Sequence, residues 1–136
     1  VTTNGVFDII HLGHVKYLEQ AKKLGDVLIV GVNTDSSVKL NKGDERSIND
    51  EKSRIGVLAG FESVDYVFPF NEKTPIKWLE KLKPDFHVKA GDYKMHQIVE
   101  KYVVEKNNGK VKIVRTEKSY STTGLINKIL NVYKNQ

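Results

Sequence analysis

The sequence contains no cysteine, and other features that identify common protein classes are absent as well. Without cysteine the chain can build neither a disulfide scaffold nor a zinc finger or CxxC redox site. No apolar run approaches the ~18 residues of a membrane span, and the longest, residues 27–32, has the length of a strand. Nothing at the start resembles a signal peptide. We therefore expect a cytoplasmic protein with no membrane partner.

Arginine is also scarce, since only Arg46, Arg54 and Arg115 occur among 22 basic residues. The net charge of +5 admits nucleic acids, membrane surfaces or phosphorylated small molecules as partners. A nucleic-acid groove typically combines clustered Arg and Lys with aromatic residues, whereas these lysines are scattered along helical segments without a polybasic block. The distribution indicates a solvated lysine-rich surface and no nucleic-acid partner.

Apolar segments of strand length alternate with segments of helical period, and 136 residues suit one domain, 1–136. The predicted strands are 1–4, 27–33, 65–70, 86–89 and 110–115. The third of the five helices between and after them should open with Thr74 as N-cap and Pro75 in its first turn. Apolar residues at 98–103 predict the fourth, and those at 125–133 the fifth. This alternation predicts an α/β fold: one Rossmann-like, doubly wound domain of about five parallel strands with helices on both faces.

Ligands of such sheets bind at the carboxyl ends of the strands. The segments that leave the predicted strands there are 4–14, 33–42, 91–93 and 115–123. Residues 34–49 are rich in Lys, Asp, Asn and Ser and predict one long irregular loop. Loops of that length in compact domains are usually lids or binding loops, so we expect this one to close over a ligand.

Two histidines three positions apart, His11 and His14, open the helix that follows the first strand. Residues at this spacing face the same way, and the free N–H groups of a helix N-terminus attract anions. Gly13 between them lets a phosphate approach the backbone. The alternatives are a metal site, which only the distant His87 or His96 could complete, and two unrelated histidines. The setting between a strand and a helix favours a phosphate site.

Residues 4–14, NGVFDIIHLGH, resemble the signature of the nucleotidyltransferases that carry an HxGH motif, a family of the cytidylyltransferase-like type. The resemblance continues in order through 42–46, 54, 64–65, 74–75, 82–85, 88–93 and 121–123, and is strongest to the adenylyltransferases that act on D-glycero-β-D-manno-heptose 1-phosphate. The chain departs from those enzymes at Ala90, where they usually have Gly, and at Ser47, where they usually have Pro. Residues 115–117, Arg-Thr-Glu, are instead similar to the glycerol-3-phosphate cytidylyltransferases.

The resemblance implies that a phosphate oxygen of an acceptor attacks the α-phosphate of a nucleoside triphosphate and releases pyrophosphate. It favours ATP over CTP, a sugar 1-phosphate acceptor, Mg²⁺ that arrives with the triphosphate rather than on a protein metal site, and a homodimer. A glycerol-3-phosphate-type cytidylyltransferase and a non-catalytic nucleotide-binding module stay open as alternatives, because fold alone does not give function.

The resemblance also implies roles for individual residues. His11, His14 and Lys42 are the expected catalytic residues. Three hydroxyls in a row at 121–123 exceed the one that an N-cap needs and suit a second phosphate-binding helix start. Arg54 is expected either to reach the triphosphate or to pair with Asp50 or Glu51. The expected nucleotide-binding residues are Asn4, Gly5, Phe7, Asp8, Gly13, Gly91, Asp92, Arg115, Ser121, Thr122 and Thr123, and further phosphate or substrate contacts are expected from Asp35, Lys39, Arg46 and Arg54.

Overall fold

The computed structural model describes residues 1–91, 93–116 and 119–134. Its sheet has five strands in the order β3-β2-β1-β4-β5, and every neighbouring pair is parallel. The strands are β1 Thr2–Gly5, β2 Ile29–Asn33, β3 Tyr66–Phe70, β4 Phe86–Ala90 and β5 Lys110–Val114. Each lies within two residues of its predicted position, so the α/β prediction is confirmed.

Six α-helices occur in the described part of the chain: α1 Leu12–Lys22, α2 Asp35–Lys42, α3 Glu51–Ala59, α4 Ile76–Leu82, α5 Lys101–Lys106 and α6 Thr122–Tyr133. A short 3-10 helix, Met95–Gln97, lies between β4 and α5. Among these residues, no helix combines the length and apolar character needed to cross a bilayer.

The sheet separates two apolar cores, because successive side chains of a strand point to opposite faces. On one face, Val30 and Val32 of β2 pack with Leu18 of α1 and Leu58 of α3. On the other face, Trp78 of α4 packs with residues of α5 and β5, and a Cβ at Gly31 would lie 3.0 Å from the Trp78 ring. Helices therefore cover both faces, as predicted.

The segment 34–49 is not one irregular loop, because its first half forms α2. The Thr34 hydroxyl caps this helix by accepting a hydrogen bond from the Ser37 amide, and Val38 is 1% exposed. Only Ser37 and Val38 of α2 are buried. The sequence therefore shows almost none of the apolar periodicity that predicts a helix. The irregular connection is residues 43–50, between α2 and α3.

Three other helices differ from prediction at their ends or in their packing. Helix α4 begins at Ile76 with Pro75 as N-cap and no side-chain cap, so Thr74 does not cap it. The apolar residues at 98–103 predicted a longer helix than α5, and Val99 is exposed before it begins. Helix α6 buries no residue, and the apolar side chains that marked it in the sequence are partly or largely exposed.

Candidate active site

A cavity of about 380 Å³ opens at the carboxyl ends of β1 and β4. The chain runs outward from β1 to β3 on one side and through β4 to β5 on the other, so this is the switch point of the strand order. Most of the predicted site residues line this cavity: Asn4, Gly5, Phe7, Asp8, His11, Gly13, His14, Lys42, Arg46, Thr122 and Thr123.

His11 and His14 form a reciprocal pair at the start of α1. His11 is the N-cap, and its Nδ1 accepts a hydrogen bond from the Gly13 amide at 3.1 Å. The Nδ1 of His14 accepts from the His11 amide at 3.2 Å, and the two ring centroids are 4.0 Å apart. Because each Nδ1 is an acceptor, each neutral ring carries its proton on Nε2. Both Nε2–H groups are then available as donors to a ligand in the cavity.

Both imidazoles are held in the neutral form. Burial lowers the pKa of His11, and burial together with the adjacent His11 ring, which opposes a second protonation, lowers the pKa of His14 to about 4. Their attraction for a phosphate therefore rests on hydrogen bonds and the helix N-terminus rather than on imidazolium charge.

The turn between β1 and α1 requires small or strained residues. A Cβ on Gly13 would lie 2.8 Å from the His11 ring and 3.0 Å from the Tyr120 side chain, so only glycine fits. Phe7 has a φ of 53°, a left-handed conformation that costs a non-glycine residue about 1–3 kcal/mol. Its buried ring lies 5.8 Å from the His14 ring. The strained backbone thus places an aromatic support beside the histidine pair.

Asp8 anchors the far end of the 43–50 segment. Its two carboxylate oxygens accept hydrogen bonds from the Ile48 and Asn49 amides, each at 2.8 Å. Arg46 Nε is 4.0 Å from Asp8 and has no hydrogen-bond partner among the described residues, although the atom is buried. The buried Oδ1 of Asn4 is unpaired in the same sense. Arg46 and Asn4 both belong to the cavity lining, and each has a buried polar atom that no described residue pairs with.

The described residues contain no cluster of three or more His, Asp or Glu side chains able to hold a metal ion. The carboxylate in the cavity, Asp8, already accepts two backbone hydrogen bonds. This donor set fits Mg²⁺ that is coordinated mainly by triphosphate oxygens and water, the usual mode for this cation.

Arg54 does not reach the cavity, and its ion-pair partner differs from both predicted ones. Its side chain is completely buried, donates to the carbonyls of Val6, Asn33 and Asn49, and pairs with Asp35 Oδ1 at 2.8 Å. Burial opposes ionisation of Asp35, but the Arg54 guanidinium outweighs it and lowers the pKa of the carboxyl. Arg54 and Asp35 thus join the ends of β1 and β2 to α3 instead of lining the cavity as phosphate contacts.

The three hydroxyls at the start of α6 have three different positions. Ser121 is the N-cap and accepts a hydrogen bond from the Gly124 amide at 2.9 Å, so the structure gives it a capping contact. Thr122 lines the cavity and donates to the Ile9 carbonyl at 3.1 Å, which fastens α6 to the turn before His11. Thr123 also lines the cavity, and its hydroxyl makes no hydrogen bond within the described structure.

Lys42 is the last residue of α2 and lines the cavity. Lys39, about one turn earlier in the helix, does not line it. Gly91 and Arg115 also lie outside the lining, although their neighbours Ala90 and Thr116 belong to it. Asp92, expected at the nucleotide, falls outside the described residues.

Several lining residues are absent from the predicted site residues, and Tyr17 and Lys89 are among them. Tyr17 lies three positions after His14 on α1, the same spacing that links the histidines, so helical periodicity could have found it. Lys89 is a charged residue in an apolar central strand close to its carboxyl end, which is itself a signal for a ligand contact.

The sequence and the fold of this chain are similar to those of known proteins. A family model described as cytidylyltransferase-like matches residues 2–129. The bifunctional protein HldE of Actinobacillus pleuropneumoniae serotype 5b (strain L20) is 54% identical over 129 residues, which is 95% of this chain and 27% of that protein. The HldE protein of Geobacter metallireducens is 48% identical over 133 residues, again 27% of its length. The chain thus spans about a quarter of these relatives.

Two solved structures have a similar fold. The lipopolysaccharide core biosynthesis protein of Thermoplasma volcanium GSS1 is 36% identical with a TM-score of 0.70, covering 88% of this chain and 96% of the other. The pantoate-beta-alanine ligase of Francisella tularensis reaches a TM-score of 0.59 at 18% identity, covering 96% of this chain and 69% of the other. The second likeness concerns the fold alone.

Proposed function

Because this chain belongs to the cytidylyltransferase-like family and is a nucleotidyltransferase domain, we propose that it transfers an adenylyl group from ATP to a sugar 1-phosphate, with heptose 1-phosphate as the first candidate. The HldE relatives and the lipopolysaccharide core biosynthesis protein support a role in heptose and lipopolysaccharide metabolism. The observation that carries the chemistry is the His11–His14 pair, with two Nε2–H donors at a helix N-terminus inside the cavity.

The reaction is a direct displacement at the α-phosphate. An oxygen of the acceptor's phosphate forms a bond to the α-phosphorus, the bond to the bridging oxygen of the β-phosphate breaks, and pyrophosphate leaves with that electron pair. The His11 and His14 Nε2–H groups donate to the α-phosphate oxygens, where negative charge grows in the transition state. Lys42 and Thr123 contact the departing phosphates, and Mg²⁺ neutralises part of the triphosphate charge when bound.

A matrix of nucleoside triphosphates against phosphorylated acceptors, scored by pyrophosphate release, tests this proposal. We expect one strong response, with ATP and heptose 1-phosphate. A strong response with CTP and glycerol 3-phosphate would instead support the cytidylyltransferase that residues 115–117 resemble. Tight nucleotide binding without turnover in any combination would favour a non-catalytic binding module.

The homodimer expected from the family resemblance is part of the same proposal. Light scattering of the purified chain should give twice the monomer mass of 15.5 kDa. A mass that stays at the monomer value across the concentration range of the assays would contradict it.

A further inference from the structure

A buried chain of polar groups connects the core under β4 to the cavity wall. The Thr2 hydroxyl lies 2.8 Å from His87 Nδ1, and His87 Nε2 lies 3.4 Å from the Glu100 carboxylate. The same carboxylate oxygen is 3.0 Å from the Lys89 ammonium. The His87 side chain is 0% exposed and the Glu100 side chain 3% exposed, whereas Lys89 belongs to the lining of the cavity.

The charges in this chain follow from its contacts. Burial lowers the pKa of His87, so the imidazole is neutral. Its Nδ1 is hydrogen-bonded to the Thr2 hydroxyl, whereas its Nε2, 3.4 Å from Glu100, makes no hydrogen bond among the described residues. Burial opposes ionisation of Glu100, but His87 and Lys89 outweigh it and lower its pKa to about 2. Glu100 is therefore a buried anion at neutral pH. A buried anion needs a paired cation, and that cation is Lys89.

The pairing gives Lys89 one fixed position. A free lysine side chain samples many rotamers, but the Lys89 ammonium is held between the Glu100 carboxylate and the Tyr93 ring, whose centroid is 5.6 Å away. The Lys89 side chain is 17% exposed. Three N–H bonds of an ammonium cannot all be used by one carboxylate oxygen and a ring face, so Lys89 keeps donor capacity for a ligand in the cavity.

From this geometry we propose that Glu100 is a positioning residue that holds Lys89 at the cavity wall, where the Lys89 ammonium binds the phosphate of the acceptor. The inference rests on the proposed function. A triphosphate arrives with Mg²⁺ and meets the N-termini of α1 and α6, but a sugar 1-phosphate arrives as a dianion without a metal and needs a protein cation. Lys89 lies on β4, which borders β1 on one side. Lys42 follows β2, which borders β1 on the other side. An attacking group and a leaving group must likewise lie on opposite sides of the α-phosphate.

Steady-state kinetics of three variants test the proposal. The Lys89→Met variant should raise the KM for the acceptor about tenfold, the effect of losing one charge-assisted contact, while the KM for ATP stays within twofold. Glu100→Gln should raise the same KM several-fold, because Lys89 loses its anchor. Adding Glu100→Gln to Lys89→Met should produce no further increase, since Glu100 acts through Lys89. Lys112→Met, an exposed lysine on β5 outside the cavity, is the control.

A purely structural role of Glu100 would give a different pattern. Glu100→Gln would then lower the thermal midpoint, and its effect would add to that of Lys89→Met. That additivity, or a rise in the KM for ATP without a rise for the acceptor, would overturn the proposal. If Glu100→Gln does not fold, the Lys89→Met variant alone tests whether Lys89 binds the acceptor. A rise in the KM for ATP in place of a rise in the KM for the acceptor would refute that role.

A binding titration separates this inference from the proposed function. If no pair of substrates turns over, the parent and Lys89→Met are titrated with inorganic phosphate and, separately, with a nonhydrolysable ATP analogue. About tenfold weaker phosphate binding with unchanged analogue binding would support the role of Lys89 although the proposed reaction had failed. Equal phosphate binding by both proteins, or none by the parent, would refute it.

Discussion

Replacing Arg54 with methionine should destabilise the protein severely, although Arg54 does not line the cavity. Arg54 is the largest completely buried side chain among the residues that the structure describes, and it carries a positive charge. Methionine has a similar length and no hydrogen-bond donor, so it removes four contacts at once: those to the carbonyls of Val6, Asn33 and Asn49 and to the Asp35 carboxylate.

The expected magnitude follows from these contacts. Hydrogen bonds that involve a charged group contribute about 1.5–3 kcal/mol each, which would give about 6–12 kcal/mol for four. Two effects reduce this sum: the Asp35 side chain is 37% exposed and can be hydrated, and methionine recovers some apolar packing. Removing one partner of a buried pair typically costs about 3–5 kcal/mol, and we expect a loss of about 4 kcal/mol. Many domains have a total stability of only about 5–15 kcal/mol.

Urea denaturation followed by circular dichroism measures this loss. At a slope of about 2 kcal/mol per molar, the midpoint of Arg54→Met should fall by about 2 M. Lys52→Met is the matched control, because it makes the same change at an exposed position of the same helix and should shift the midpoint by less than about 0.5 M. A shift for Arg54→Met as small as that of the control would refute the assignment of Arg54 as the central tie between β1, β2 and α3.

Four further predictions concern the site. His14→Ala should fold, bind nucleotide within a few-fold of the parent and lose turnover by roughly 10²-fold, which is the scale of one lost charge-stabilising donor. The control variant His96→Ala should leave turnover unchanged. Normal turnover in His14→Ala would end the catalytic assignment of His14. Because the pKa of His14 is lowered from 6.5 to about 4 in the folded protein, the unfolded chain takes up a proton at this residue first as the pH falls. The free energy of unfolding should therefore decrease between about pH 6.5 and pH 4. This decrease should be less steep in His14→Ala. Thr123→Val should weaken ATP binding more than AMP binding, and an equal loss for both nucleotides would indicate a role in shape alone. Amides of residues 43–47 should exchange rapidly without ligand and slow with ATP and Mg²⁺, while the Ile48 and Asn49 amides, held by Asp8, should stay slow throughout; no change at 43–47 would contradict closure of this segment.

The strands and the histidine pair could be predicted because their signals are local. The Val and Ile residues at 27–32 predict β2 without reference to the rest of the chain. His11, Gly13 and His14 lie on one helical turn. Residues whose role depends on a distant partner left no such signal. Arg54 sits in helix α3 in a pattern that suits an exposed cation, and its burial follows from three carbonyls that belong to other segments. The sequence likewise does not show that Glu100 lies beside Lys89 of β4.

Helix α2 was missed for a related reason. Its amphipathic signal rests on a single buried apolar residue, Val38, and the Thr34 cap resembles the polar residues of an ordinary loop. Helix α6 presents the opposite case, since an apolar period predicted the helix correctly but its apolar side chains are not buried. Hydrophobic periodicity reports the helix, whereas burial depends on which surfaces are available to cover it.

The hydrogen bond from Thr122 to Ile9 spans 113 positions of the chain. During translation the histidine turn leaves the ribosome among the first residues and α6 among the last of this domain. The nascent sheet can pair β1 with β2 and then with β4 while the wall formed by Thr122 and Thr123 is still missing. A partly synthesised domain therefore lacks the complete cavity, and the ability to hold a nucleotide in it appears only when α6 has docked.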